Sequence, residues 1–500
     1  MLIKPRREDH RLIGFYLGTV LSGVGLAMFI PLGTAWIFQE WQPFCDYLLG
    51  AALTLSLGFL LRILCFTRKE PGWLHGLAVV ALSWLCAAAV SALPLYLSGS
   101  FGSYLDAFFE AMNAFTTTGF SLARDLDHLA YAHNMWRHLM MFLGGQGIVV
   151  IALSVLIKSG AGGFRLYSGE GREERILPNV LNTSRFIWLV SSLFMLIGTA
   201  ALTLILKSAG LSWARAFLHG LWLFMSGFDT GGFTPQSQSI LYYHSWRLET
   251  ALLFVILLGG LNFHLHHAVL SGRKKELWRN IELRTLAFSF FLAGFLVFFT
   301  LAKKQVYSGL SALFRKGVFL LVSAHTTTGY TTLAAGRLWQ EWEPLAVLGL
   351  LMAMGIGASI CSTSGGLKIF RLSIIGQALR QDIKRLLLPD SAVLAERFHH
   401  IKDVFLNDRI ARSAALIALL YLATFFIGAA AGVAYGFPFY AALFESVAVA
   451  SNSGLSSGII SAALPAGLKL VYILEAWAGR LEFTAVLGLL AYGWSCWRGK

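Results

Sequence analysis

The chain has 500 residues, of which 56% are apolar and 13% charged, with a formal net charge of +14 and a mean hydropathy of +0.65. Water-facing domains run near about 45–50% apolar and about 25% charged, so this chain lacks the polar surface to cover the several soluble domains its length would otherwise suggest. That excludes a cytosolic enzyme, a disordered tail and a secreted disulfide scaffold, and in a membrane chain the excess of Lys and Arg speaks of topology, with no nucleic-acid partner implied.

The opening MLIKPRREDHR is a basic flank on an apolar run without a small-residue cleavage site, which reads as a retained anchor. A hydrocarbon layer of roughly 30 Å is crossed by about 20 apolar residues. Runs of that kind lie near 12–38, 44–66, 73–97, 135–157, 183–207, 246–270, 285–302, 344–361, 412–436 and 468–497, and each is expected to span. Between members of the last eight, taken in pairs, sit shorter apolar segments at 101–118, 212–229, 307–326 and 438–452. These are too short to cross, and each ends in small residues with Thr or Gly that break a helix.

Of the 40 Lys and Arg residues, 28 fall on the side of the N-terminus, so that side is expected to be cytoplasmic, with both termini inside and the short segments dipping in from outside. Lys303, Lys304, Arg315 and Lys316, on the external side, are the clearest exceptions. The basic segment 366–412 suits an acidic partner or anionic lipid, or is an ordinary positive-inside loop. Cys45, Cys65, Cys86, Cys361 and Cys496 form no CxxC pair and read as small packing residues. His264, His266 and His267 lack Cys or carboxylate company and read as structural; Gly144-Gly145-Gln146-Gly147 has no strand before it and reads as packing.

The short segments end in AFTTTGFS (114–121), FDTGGFT (228–234), AHTTTGYT (324–331) and ASNSGLS (450–456). One alignment puts Gly119, Gly232, Gly329 and Gly454 in a single column, preceded by Thr117-Thr118, Thr230-Gly231, Thr327-Thr328 and Asn452-Ser453 and followed by Phe120, Phe233, Tyr330 and Leu455. Glu110 and Glu445 stand in register nine positions upstream of their glycines. One TTTG alone is weak; four copies, each after a non-spanning segment between two spans, make a repeated unit. The implied architecture is an all-α integral membrane protein with four pseudo-symmetric helix–pore-loop–helix repeats around a central pore, preceded by two extra N-terminal transmembrane helices. Its expected divisions are 1–70, 71–160, 161–272, 273–390 and 391–500.

Irregular backbone survives at membrane depth only where protein buries it or where it lines a watery path. Four such strands around one axis can turn carbonyl oxygens inward and replace the hydration shell of a monovalent cation. The expected ion contacts are Thr117, Thr118, Thr230, Gly231, Thr327, Thr328, Asn452 and Ser453, with the glycines and the residues after them completing the filter. Arg480, a charge inside an apolar run, is a functional candidate by default, the alternative being a structural arginine paired with pore-facing carbonyls or with a carboxylate such as Glu110 or Glu445. Glu482, two residues on, lies on another helix face. The run Gly355 to Gly366 interrupts the eighth span with small residues, Gly357, Ser359, Ser362 and Gly365 among them, just before Lys368; it is either a flexible gate under the filter or a seam of close packing.

With the filter strands, GRLEFTAVL (479–487) and STSGGLKIFRL (362–372), the chain resembles the membrane subunits of the Trk/Ktr/HKT superfamily of potassium transporters, of the TrkH or TrkG type. The resemblance covers roughly 70–500, and the two extra spans agree with it. It implies potassium uptake across a bacterial cytoplasmic membrane, four filter glycines associated with potassium selectivity, a third-repeat loop acting as an intramembrane gate, and Arg480 protruding below the filter. It further implies a homodimer and a separate cytosolic TrkA-like nucleotide-binding ring. K+ is then the transported ion, and no organic cofactor is expected in this chain. The fourth strand, Asn452-Ser453-Gly454-Leu455, departs furthest from the pattern. A sodium-permeable or ion-coupled cation transporter of the same fold is the alternative. A membrane enzyme would need an acid, base or nucleophile cluster that the sequence lacks, and an antiporter a central titratable carboxylate.

Overall fold

The computed structural model describes residues 5–147, 180–307, 309–334, 336–389, 394 and 396–499. The N-terminal extension is a helical pair: Arg7–Ala27 runs on into Phe29–Ile37, and Trp41–Leu64 returns beside it. The two cross at glycines. A Cβ added to Gly18 would lie 2.7 Å from the Gly58 carbonyl oxygen, and one added to Gly58 would lie 2.7 Å from Ser22 Oγ, so only bare backbone permits this approach. Glu40, in the turn between them, accepts the Tyr131 and Ala132 amides at 2.7 and 2.9 Å. A carboxylate at the first turn of Tyr131–Gln146 both caps it and fastens the extension to the first repeat.

Four repeats follow. The first is Trp73–Leu97, Tyr104–Phe115 and Tyr131–Gln146; the second is Val180–Ser208, Trp213–Phe228 and Trp246–Gly260 with Phe263–Leu270. In the third, Ile281–Lys303 precedes a short helix formed by Leu310–Leu313, a π segment Phe314–Val318 and Phe319–His325, then Pro344–Ile356 and Ile369–Leu386. The fourth is Asp408–Ala434, Phe439–Ala450, Ala466–Arg480 and Thr484–Arg498. The short helices of repeats one, two and four have 12, 16 and 12 residues, about 18–24 Å at 1.5 Å per residue, which is less than the layer is thick. Ser103 and Ser212 side chains cap the first two, fixing where they start.

Several runs expected as continuous spans are broken instead. Among the described residues six helices are long and apolar enough to cross, or seven if a bent pair counts as one. The 246–270 run bends by 99°, because the Asn262 side chain caps a new helix by accepting the His264 amide. The 344–361 run stops at Gly357, at φ +73. The 468–497 run breaks at Glu482 and Phe483, at φ +49 and +63, where Glu482 turns aside to pair with Arg371. The 135–157 run is helical as far as Gln146, and Gly147 follows at φ +89; its remainder, 148–157, lies outside the described residues. Within 366–412 the loop also contains a two-stranded antiparallel hairpin, Arg397–His400 with Lys402–Phe405, turning at Ile401 and burying Phe398 and His400 on one face. A short alternating stretch in a charged segment gives little hydropathy signal, so this element was not expected.

Tyr492 Oη and His10 Nδ1 meet at 3.0 Å, which puts the start of the first helix and the end of the last on the same side. The four clearest basic exceptions to the charge asymmetry are locally accommodated. Lys304 pairs with Glu343 at 2.8 Å, Arg315 with Glu249 at 2.6 Å, and Lys303 and Lys316 lie over the rings of Phe299 and Tyr307.

Candidate ion-conduction site

Each short helix ends in a strand with the same unusual backbone. Thr117, Thr230, Thr327 and Asn452 stand at φ +53, +50, +57 and +55, and two residues later Gly119, Gly232, Gly329 and Gly454 stand at +88, +77, +84 and +70. The left-handed region costs a non-glycine residue about 1–2 kcal/mol. Its recurrence at four matched positions means that surrounding contacts impose it.

Those contacts form a closed cycle. A Cβ on Gly119 would overlap the carbonyl oxygen of Gly231, one on Gly232 that of Thr328, one on Gly329 that of Ser453, and one on Gly454 that of Thr118. Every glycine therefore presses on the residue before the next repeat's glycine, and the fourth returns to the first. The four strands enclose one axis. Above them opens a vestibule of about 760 Å³, lined by all four glycines and by Phe120, Phe233 and Leu455.

The residues after the glycines anchor the strands outward. Phe120, Phe233, Tyr330 and Leu455 have buried side chains; the Tyr330 hydroxyl donates to the Leu223 carbonyl at 3.0 Å, and the Arg137 guanidinium lies 4.1 Å over the Phe233 ring. The two registered glutamates act likewise. Glu110 accepts from Ser121 Oγ, the Leu122 amide and Arg137 Nε at 3.0, 2.9 and 2.6 Å, and Glu445 accepts from Ser456 Oγ, the Ser457 amide and the Ile460 amide. Each ties its short helix to the chain leaving the strand. Sequence reading gave Glu110 and Glu445 a register and offered them only as alternative partners of Arg480, and gave Arg137 no place at all.

On the other side of the strands lies the loop from Gly357 to Lys368. Gly357, Gly366 and Lys368 have positive φ, and Lys368 donates to the Ser364 carbonyl. Thr363 Oγ1 donates to the carbonyls of Phe228 and Gly259 at 2.8 and 2.9 Å and lies 3.4 Å from Thr230 Oγ1. The Gly365 amide donates to Thr327 Oγ1 at 2.7 Å, and a Cβ at Gly365 would overlap the Ser451 carbonyl. The Ser359 and Ile360 amides reach the Gly260 carbonyl and Glu282 Oε1, and Ser362 and Ser364 bond to each other at 2.9 Å. Gly355 closes the loop's base by accepting the Leu367 amide.

Arg480 joins this loop to the first strand. Its Nη1 donates to Thr117 Oγ1 at 3.1 Å and to the Thr363 carbonyl at 2.6 Å; its Nη2 donates to the Gly144 and Gly145 carbonyls at 3.0 and 3.4 Å. Glu110 and Glu445, sequence-level alternatives as partners for Arg480, are engaged at the strand exits. Gly144 earns its place twice, since a Cβ there would overlap the Phe115 carbonyl, as one would at Gly259 against Phe228 and at Gly479 against Ala450. The cavity left beneath the strands, lined by Lys368, Arg480, Glu482, Ser362 and Gly365 among others, measures about 30 Å³. That is room for about one water and not for a hydrated ion. The loop, so placed, lies against the undersides of the strands.

The Asn452 side chain donates to Thr118 Oγ1 at 2.9 Å and to the Ala476 carbonyl at 3.0 Å, so the divergent fourth strand is bonded to the first. Sequence reading overlooked Thr363, the hub of the loop, and Asp229, discussed below.

A membrane protein that is almost wholly helical among its described residues, with four re-entrant loops enclosing one axis, has the architecture of a transport protein. A model of the TrkH family, described as cation transport protein, matches residues 47–491, and the chain belongs to that family. It is 32% identical over 486 residues to an uncharacterized cation transporter of Methanocaldococcus jannaschii, covering 97% of this chain and 96% of that one. It is 30% identical over 434 residues to the Trk system potassium uptake protein TrkH of Escherichia coli, covering 84% and 86%. The crystal structure of the potassium transporter TrkH from Vibrio parahaemolyticus superposes with a TM-score of 0.81 at 26% identity, covering 96% of this chain and 98% of that one.

Proposed function

We propose that the chain takes up potassium across a cytoplasmic membrane, with both termini inside, through a filter formed by the four Gly-centred strands. The observation that carries this reading is the closed cycle in which each filter glycine packs on a main-chain oxygen of the next repeat. Rings of such oxygens, from Thr118, Gly231, Thr328, Ser453 and their neighbours Thr117, Thr230, Thr327 and Asn452, suit a dehydrated monovalent cation. The short helices direct their partly negative C-terminal ends at the same centre. Uptake down the electrical gradient gains roughly 2.3 kcal/mol per charge for each 100 mV.

The loop 357–368 and Arg480 form the gate in this reading, because loop and arginine bond to the undersides of strands one, two and three. A cytosolic nucleotide-binding ring supplies control, acting on the basic segment 366–412 of a homodimer. The potassium uptake named for the Escherichia coli and Vibrio relatives supports the choice of ion. Expression in a bacterium lacking its own potassium uptake tests the whole: growth is expected in low potassium when the regulatory ring is supplied, and failure to grow with the protein present in the membrane overturns the proposal.

A further inference from the structure

Three of the four strands are preceded by a hydroxyl residue that bonds back onto its own helix: Thr116 to the Met112 carbonyl at 2.7 Å, Thr326 to the Val322 carbonyl at 2.8 Å, and Ser451 to the Val447 carbonyl. The second repeat breaks this pattern. Asp229 holds the matching position, fully buried, one residue before the strand. Gln146 Nε2 donates to its Oδ1 at 2.7 Å, and the Ser191 hydroxyl donates to Gln146 Oε1 at 2.9 Å, so a two-step relay orients the carboxylate. It lies against Gly145, where an added Cβ would overlap the Asp229 side chain.

The same peptide segment holds Arg480, whose Nη2 bonds to the Gly144 and Gly145 oxygens. Gly145 thus meets the carboxylate through its Cα and the guanidinium through its carbonyl, so the two charges face each other across one peptide unit. The charges under the strands make this separation matter. Arg480, Lys368 and Arg371 stand there with Glu482, which pairs with Arg371, while Glu282 lies behind the loop on the Ile360 amide. Among the described residues beneath the strands, Asp229 apart, cations outnumber carboxylates, and at a few ångströms in a partly dry site such an excess is repulsive.

We propose that Asp229 is the counter-charge of Arg480, a positioning residue whose carboxylate, acting across the Gly144–Gly145 backbone, lowers the repulsion that Arg480 presents to potassium. This rests on the reading of Arg480 as part of the gate. It also gives a reason for the two consecutive glycines at 144 and 145: the first admits the Phe115 carbonyl and the second admits the carboxylate.

The test is rubidium influx into liposomes containing the full chain, in a double-mutant cycle. Asp229→Asn keeps the shape and loses the charge; Asp229→Ser restores the hydroxyl that the fourth repeat carries there and serves as the variant that folds if the amide does not. Both are expected to reduce influx roughly tenfold in the native background, Arg480→Gln to raise it, and neither Asp229 variant to change influx by more than about twofold once Arg480→Gln is present. Unchanged influx in both Asp229 variants, or the same fractional loss with and without Arg480, overturns the inference. If Arg480→Gln alone leaves influx unchanged, the gate reading and this inference fall together; if it raises influx and the Asp229 variants do not lower it, only the inference falls.

Discussion

Gly119→Ser is the most informative single substitution in the strands. Gly119 stands at φ +88, and a Cβ there would overlap the Gly231 carbonyl oxygen and come within 3.1 Å of its carbon. The left-handed backbone alone costs a side chain about 1–2 kcal/mol. The overlap costs more, because an ordinary carbon–oxygen contact is about 3.3 Å or longer, so the Gly231 carbonyl must retreat by roughly an ångström. A ring widened on one side no longer replaces a potassium ion's water evenly, and a differential loss of only about 1.4 kcal/mol is a tenfold change in preference. The potassium-to-sodium permeability ratio is expected to fall about tenfold or more, read as a shift of reversal potential under bi-ionic conditions in a planar bilayer. Gly33→Ser is the control, since nothing lies within 4 Å of a Cβ there. Folded Gly119→Ser protein with an unaltered ratio would refute the reasoning.

Further predictions rest on other contacts. Deleting 359–365 removes the loop's bonds to strands two and three, and rubidium influx is expected to rise and lose its dependence on the regulatory ring; unchanged influx removes the gate assignment. Thr363→Val retains the bulk and loses both hydroxyl bonds to the Phe228 and Gly259 carbonyls, so partial opening is expected, as a few-fold higher influx. Glu110→Gln leaves the Arg137 guanidinium, fully buried, without its carboxylate, a change that costs about 3–5 kcal/mol in comparable buried pairs. Its melting temperature in detergent should drop clearly, and an unchanged value would argue that the pair contributes little. Gly144→Ala should disrupt assembly through its overlap with the Phe115 carbonyl, whereas Gly376→Ala, with open space around it, should express and elute as the native protein does.

The repeat was legible in the sequence because glycine is nearly irreplaceable at a positive φ with a neighbouring carbonyl against its Cα, and four such positions recur with Thr or Ser nearby. The order of the ring was not legible, since nothing in spacing says that Gly119 meets the second repeat and Gly454 the first. Hydropathy averages over helix breaks, so the runs at 246–270, 344–361 and 468–497 looked continuous. Asn262 as a cap, Gly357 and the Arg371–Glu482 pair supply the breaks locally. The small residues of 355–366 announced a pliable segment, but its lying against the strands depends on Thr363 finding partners 104 and 135 residues away in the chain and Gly365 one 38 residues away, beyond any local pattern. Asp229 was passed over, although it is the one acid among four matched positions otherwise held by Thr or Ser. Its neighbour across the fold, Gly145, was not.

The central claim is that main-chain oxygens of the four strands coordinate a bare alkali ion on the common axis. Anomalous diffraction from crystals grown in rubidium or thallium tests this most directly. A peak is expected on that axis, surrounded by the carbonyl oxygens of Thr118, Gly231, Thr328 and Ser453; anomalous density elsewhere in the molecule with none inside that ring would contradict it.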